Sequence, residues 1–354
     1  MNDQLSNLVQ KAKESTLFTA PVLSSHLERF LKEKRDLIRN LARQAIEEKV
    51  EHIYWVGSGN SWVNLHSGKQ ILDRYTTIPN DCFISYDFIW RNPRRLGEKS
   101  WVFLASFSGA TEDTVLALRY AKMRQARTIA IVNSAESLMG READVVIEYQ
   151  SKALYILPLA FAYVFSLEIA RLQGVEEADK VMQELYNIPP LLHKQYITEE
   201  QSAYQKAMMF KDENLFYVLG SGPLYGLAYK FGLTVFMENM RVNGSFMDAS
   251  EFRHGPVEML WREKPAMVFL IGTDESRPIV ERVYQVAMTN GAKILRYDLA
   301  DYGDIHPLLA PFVLMIPLQW FAVYSALLRG ITDLDERVFM GRGILGQGNQ
   351  IIWP

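Results

Sequence analysis

Two groups of residues in this 354-residue chain have types and spacings that chemistry could use. The segment ASFSGATEDT sets Ser106, Ser108 and Thr111 around Gly109 immediately before an amphipathic run. Three hydroxyls together with the free N–H groups of a helix start make a cradle for an anion. Much later, FMENMRVNGSFMDASEFRHGP carries Glu238 inside an apolar helical stretch and, sixteen residues on, His254 just before Gly-Pro. A carboxylate and an imidazole are residue types that move protons near neutral pH. Each feature also has an ordinary explanation. Serine, threonine and glycine cap helices and make turns, a helical glutamate commonly faces water, and a histidine before Gly-Pro can cap or pack.

The elements that must position these residues follow from the pattern around them. Short β-rich runs at 52–57, 82–86, 101–106, 128–132 and 144–149 alternate with amphipathic helical segments. That alternation argues for parallel strands, right-handed crossovers and helices on both faces of a sheet. The hydroxyl loop then falls at the carboxyl end of a strand, where open α/β sheets bind their ligands. An earlier loop, GSGNS, adds Ser61 and Asn60 from the start of another helix.

The second half of the chain repeats the first. HIYWVGSGNSW at 52–62 resembles LFYVLGSGPLY at 215–225, and the stretch 101–133 reads like 266–298. The apolar segments LPLAFAYVFSLEIARLQG and IPLQWFAVYSALLRG pair in the same order. The expected fold is therefore α/β, with two doubly wound parallel-sheet domains related by an internal repeat. The expected boundaries are a helical N-terminal region at 1–45, a first domain at 46–185, a second at 205–340 and a tail at 341–354. Pro189-Pro190 reads as a linker or helix break between the domains. In the second copy the hydroxyl loop becomes IGTDESRP, with Asp274 and Glu275 where hydroxyls are needed. One anion pocket per chain is expected, in the first half.

Composition narrows the partners. The formal charge is −3, so there is no clustered positive charge to draw nucleic acid or an anionic membrane. Cys82 is the single cysteine, which rules out an internal disulfide and a Cys/His zinc cluster and suits a reducing cytoplasm. The segments 153–174 and 306–330 are long and apolar, but the first contains Glu168 and the second Pro311, Pro317 and Gln319. Both are expected to be buried core helices rather than membrane spans. The N-terminus lacks the basic start and apolar run of a signal peptide. No GxxxxGK[ST] phosphate loop occurs, and GSGNSW is a poor dinucleotide fingerprint.

The motifs GSGNS, SFSGATEDT and SEFRHGPVE resemble the sugar isomerase (SIS) family, and more closely its aminosugar-phosphate branch, which holds the isomerase domain of glucosamine-6-phosphate synthase and the fructosamine-6-phosphate deglycases. The resemblance runs over nearly the whole chain from about residue 50. It implies that Ser61, Ser106, Ser108, Gly109 and Thr111 bind the substrate phosphate, although Phe107 stands where many members have glutamine. It implies that Glu238 is the catalytic base and His254 the proton shuttle for ring opening. Burial beside Phe236 and Met237 is expected to tune the glutamate, Pro256 to set His254 near a positive helix end, and Glu251 to orient the loop. The resemblance further implies no metal and no cofactor, and a homodimer in which His254 completes the neighbouring subunit's site.

The synthases' lysine, three residues before the catalytic glutamate, is Val235 here. A substrate that already contains the C–N bond needs no such lysine, and GSFMDASEFRHGPVEML, HPLLAPFVLMIPLQWF and DERVFMGR look like deglycase segments. The expected activity is cleavage of a 6-phosphorylated sugar–amino acid conjugate, of fructoselysine or glucoselysine 6-phosphate type. The alternatives are a glucosamine-6-phosphate deaminase or isomerase, and a non-catalytic sugar-phosphate sensor. Arg342, in the tail, has no assigned role.

Overall fold

The computed structural model describes residues 3–262 and 264–337, so Arg342 and the expected tail at 341–354 lie outside the described residues. The chain divides into two compact units, each built on one parallel sheet.

The unit Ser25–Tyr186 holds five strands: β1 (His52–Gly57), β2 (Asn80–Ile84), β3 (Ser100–Ser106), β4 (Arg127–Val132) and β5 (Val145–Glu148). They run parallel in the order β2-β1-β3-β4-β5. Every residue of β1 and β3 is buried, as befits central strands covered on both faces. Tyr54, Val56, Val102 and Leu104 pack with Phe88 and Leu118 on one face. On the other, Trp55 and Phe103 stack at 4.7 Å and Phe165 lies 4.6 Å from Phe103. Phe165 belongs to the helix Ile156–Leu172, which presses so closely on the helix Asn60–Tyr75 that a Cβ on Gly68 would sit 2.9 Å from that of Ala162. Glu168 is buried in that apolar helix, paired with Arg171 at 2.7 Å and Arg39 at 3.5 Å.

The unit formed by the chain up to Ser24 and Asn187–Glu336 holds β6 (Leu215–Gly220), β7 (Asn243–Met247), β8 (Ala266–Ile271) and β9 (Lys293–Asp298). Their order, β7-β6-β8-β9, reproduces that of the first four strands of the other sheet, again all parallel. The repeat read from the sequence is thus a repeat of topology, and among the described residues a fifth strand is added in the first copy only. The long apolar segment Pro307–Leu328 is buried from Leu308 to Leu327. Three of its polar side chains donate to partners inside the unit: Gln319 Nε2 donates to Thr19 Oγ1 at 2.8 Å, Trp320 Nε1 to the Tyr196 carbonyl at 3.1 Å and Tyr324 to Glu200 at 2.8 Å.

Two local features refine the sequence reading. Of the two alternatives at Pro189-Pro190, the helix break is the one found: one helix ends at Tyr186 and the prolines open the next, Ile188–Thr198, because a proline in the first turn gives up only an N–H that has no helical partner. The region expected at 1–45 is divided, with the residues up to Ser24 in the second-sheet unit and those from Ser25 in the first-sheet unit. Ser15 Oγ and the Thr16 N–H donate to Asp335 at 2.7 and 3.0 Å.

Candidate active site

In the order β2-β1-β3-β4-β5 the chain leaves β1 toward one edge and β3 toward the other, so the crevice outside their carboxyl ends is the reversal point where such sheets bind ligands. Both serine-rich loops open there. Gly57 ends β1, and Gly59 has φ +55° as the residue before the helix Asn60–Tyr75, whose first turn contains Ser61. A Cβ on Gly57 would lie 3.1 Å from Ser61, which is why the strand can run directly under the helix start.

Ser106 is the last residue of β3 and is buried, whereas Ser108 and Thr111 are exposed. Ser106 Oγ and Thr111 Oγ1 are 2.7 Å apart, and Ser108 Oγ lies 3.4 Å from each. The Gly109 N–H donates to Ser106 Oγ at 3.1 Å and the Ala110 N–H to Ser108 Oγ at 3.2 Å. Gly109 has φ +60°, and a Cβ there would meet Ser137 Oγ at 2.1 Å, so conformation and space both require glycine. The structure therefore gathers Ser106, Ser108, Gly109 and Thr111 into one cradle before the helix Glu112–Met123. Ser61 stands at the neighbouring loop.

Asp113 was missed in the sequence. Ser58 Oγ donates to its Oδ2 and Thr114 Oγ1 to its Oδ1, and Ser58 also reaches Ser85 at 3.3 Å. The carboxylate ties the two loops together. An aspartate in the first turn of a helix was the only available signal, because Ser58 is 55 residues away.

The second sheet has the same reversal point between β6 and β8, and there a side chain takes the space. The Asp274 carboxylate lies against both loops: a Cβ on Gly222 or Gly272 would meet it at 2.5 and 2.3 Å. It also accepts the Ser276 N–H at 3.2 Å.

Glu238 and His254 both belong to this second unit. Glu238 is half-buried on the helix Lys230–Met240, which is π-form along its length. Such wide helices are rare and concentrate at functional sites. The helix touches β7 through two glycines: a Cβ on Gly244 would fall 2.0 Å from the Gly232 carbonyl oxygen. Phe236 is buried as expected, but Met237 is 41% exposed, so only one of the two apolar neighbours helps enclose the carboxylate. The apolar pattern of the sequence does not distinguish this wider turn from an ordinary helix.

His254 ends the short helix Ala249–His254, Gly255 follows with φ +134°, and Pro256 begins the next helical turn. His254 and Glu251 are exposed. The segment is held instead by Asp248, whose Oδ1 accepts the Ser250 N–H at 2.8 Å and the Ser221 hydroxyl at 3.0 Å. Ser221 Oγ in turn accepts the Ala249 N–H at 3.0 Å. The Asp-Ala-Ser sequence is a legible cap, but Ser221 lies 27 residues earlier.

The sequence reading passed over Lys230, the first residue of the π-helix, which is only 6% exposed. Burial pushes its ammonium down to about 8, while the negative charge of Glu238 acts in the opposite direction.

Comparison with known proteins places these features among relatives. The SIS domain profile matches residues 47–173. The chain is 32% identical to the fructosamine deglycase of Bacillus subtilis strain 168, over 77% of this chain and 86% of the relative. It is 28% identical to the fructoselysine 6-phosphate deglycase of Escherichia coli K12, over 89% of this chain and 93% of the relative. The C-terminal domain of glucosamine-fructose-6-phosphate aminotransferase from Francisella tularensis has the same fold, with a TM-score of 0.79 at 20% identity over 90% of this chain and 98% of that one.

Proposed function

Because the chain belongs to the SIS family and within it is similar to fructosamine deglycases along most of its length, we propose that it is a deglycase. It hydrolyses a 6-phosphorylated sugar–amino acid conjugate to the sugar 6-phosphate and the free amino acid. The observation that carries this reading is the hydroxyl cradle of Ser106, Ser108, Gly109 and Thr111 at the reversal point of the first sheet. It suits a phosphate, and with Ser61 it holds the non-reacting end of the sugar.

Glu238 is the base and His254 the group that opens the ring and returns protons. For a ketosamine, Glu238 takes a proton from C1 to give an enaminol, C2 is reprotonated, and water hydrolyses the C1 imine to aldose phosphate and amine. For an aldosamine, the same base works at C2, C1 is reprotonated, and a ketose phosphate leaves. The residues act in a cytoplasmic homodimer, in which the exposed His254 completes the site of the neighbouring chain.

Purified protein is incubated separately with fructoselysine 6-phosphate and glucoselysine 6-phosphate, and free lysine and sugar phosphate are followed, with Glu238→Gln as control. Lysine is expected from one substrate, and the variant is expected to lose about 10²–10⁴-fold in rate. No lysine from either substrate, or ammonia release from glucosamine 6-phosphate instead, sinks this reading and moves weight to a deaminase or isomerase.

A further inference from the structure

The carboxyl ends of β1, β2 and β3 are joined by a closed ring of four polar side chains. Ser58, which follows β1, donates to Asp113 Oδ2, and Thr114 donates to Asp113 Oδ1 at 3.0 Å. The Thr114 and Ser85 hydroxyls lie 3.0 Å apart, and Ser85, which follows β2, lies 3.3 Å from Ser58. Ser85 and Thr114 are buried, whereas Ser58 and Asp113 are half-buried. A buried hydroxyl without a partner is costly, so each member of the ring holds its neighbours in place.

The backbone carries the ring to both sides of the proposed phosphate site. Asp113 lies two residues after Thr111, and the Val115 N–H donates to the Thr111 carbonyl at 2.9 Å. On the other side, the Ser61 N–H donates to the Ser58 carbonyl at 3.2 Å. Ser58 thus meets the carboxylate with its side chain and holds Ser61 with its main chain. Between them the chain turns at Gly59, with φ +55°, and a Cβ there would meet nothing within 4 Å. Packing does not wedge the loop at that residue, so a polar tie has a position to fix. A hydroxyl carries one proton. That of Ser58 is committed to Asp113, which leaves Ser61 as the hydroxyl of the GSGNS loop that can donate to a ligand.

We propose that Asp113 is a positioning residue for phosphate binding: through Ser58 it sets the loop after β1 against the cradle after β3, so that Ser61 and the cradle hydroxyls close on one phosphate together. The inference rests on the reading of the cradle as the phosphate site. It makes the two loops one binding unit rather than two independent contacts.

Calorimetric titration of the full chain with glucose 6-phosphate, with glucose as control, tests it in wild type, Asp113→Ala, Ser61→Ala and the double variant. Asp113→Ala is expected to weaken binding about tenfold. Ser61→Ala is expected to lose affinity in the wild-type background and little more once Asp113 is gone, because Ser61 is then no longer held, so the two losses are not additive in free energy. Losses that multiply make the two residues independent, and an Asp113→Ala protein that binds like wild type makes the ring a structural fastening only. Either result overturns the proposal.

Asp113→Asn separates the tie from the charge. Its carbonyl oxygen accepts from Ser58, its amide donates to Thr114, and Thr114 turns its own proton toward Ser85, so the ring still closes. This variant is expected to bind within about threefold of wild type. A loss as large as that of Asp113→Ala overturns the proposal in favour of a role for the charge alone. Should Asp113→Ala not fold, Ser58→Ala removes the other end of the tie and the same cycle is run with Ser61→Ala. Glucose 6-phosphate that binds no better than glucose removes the phosphate reading and this inference with it. Binding of the sugar phosphate without lysine release from either conjugate sinks the deglycase reading alone, and the cycle still decides the role of Asp113.

Discussion

At the scale of single residues, the cradle at the end of β3 is the feature whose chemistry is most directly given by its atoms. Ser108 and Thr111 are exposed and their hydroxyls converge with that of Ser106 within 3.4 Å. In the proposed reading they touch the end of the substrate that does not react, so removing one removes binding shared by ground and transition states. Ser108→Ala and Thr111→Val are each expected to raise KM about tenfold with kcat nearly unchanged. Steady-state kinetics checks this, and a selective fall in kcat would place these hydroxyls at the reacting carbons instead. This cradle was legible because its members lie within six residues and one short motif states them all. Asp113, Asp248 and Lys230 were not, because their partners come from other parts of the chain or, for Lys230, because burial of a cation is a tertiary fact. A sequence shows a charge but not the wall around it.

At the scale of elements, the alternation of β-rich and amphipathic runs was enough to place the five strands of the first parallel sheet, and the internal repeat implied the second. Fully buried strands such as β1, β3 and β8 are nearly continuous apolar runs, the pattern that central parallel strands require. The π-form of Lys230–Met240 was invisible, since apolar spacing cannot separate it from an ordinary helix once most of the surface is enclosed. Its contact with β7 is backbone on backbone at Gly232 and Gly244. Gly244→Ala puts a methyl group into the Gly232 carbonyl, which no rotamer change relieves. It is expected to cost roughly 1–3 kcal/mol and to lower kcat by displacing the helix that carries Glu238. Gly97→Ala is the control, because the nearest atom to its Cβ is 4.0 Å away. Thermal melts and rates of the two variants separate a local effect from a general one.

At the scale of the whole molecule, the proposed dimer makes a prediction about two inactive proteins. Glu238→Gln chains keep His254, and His254→Ala chains keep Glu238. Co-refolding equal amounts makes half the dimers mixed, and each mixed dimer has one complete site if the histidine acts on its neighbour. Activity is then expected to return to about a quarter of wild type. Equally inactive mixtures would place the two residues of one site in one chain. The overall doubling was legible from three successive pairs of matching segments. Membership of the N-terminal residues in the second unit was not, since it depends on Asp335 reaching back across 319 residues to Thr16.

The carboxylate of Asp274 gives the duplicated fold an asymmetry of dependence. In the proposed reading the hydroxyl cradle of the first sheet receives the substrate phosphate, so the local stability of that unit is expected to rise with ligand concentration. The second sheet carries its negative charge covalently and loses nothing when product departs. One unit is thus expected to tighten with the supply of its ligand, while at the reversal point of the other the carboxylate that takes the space belongs to the chain and is there with or without ligand.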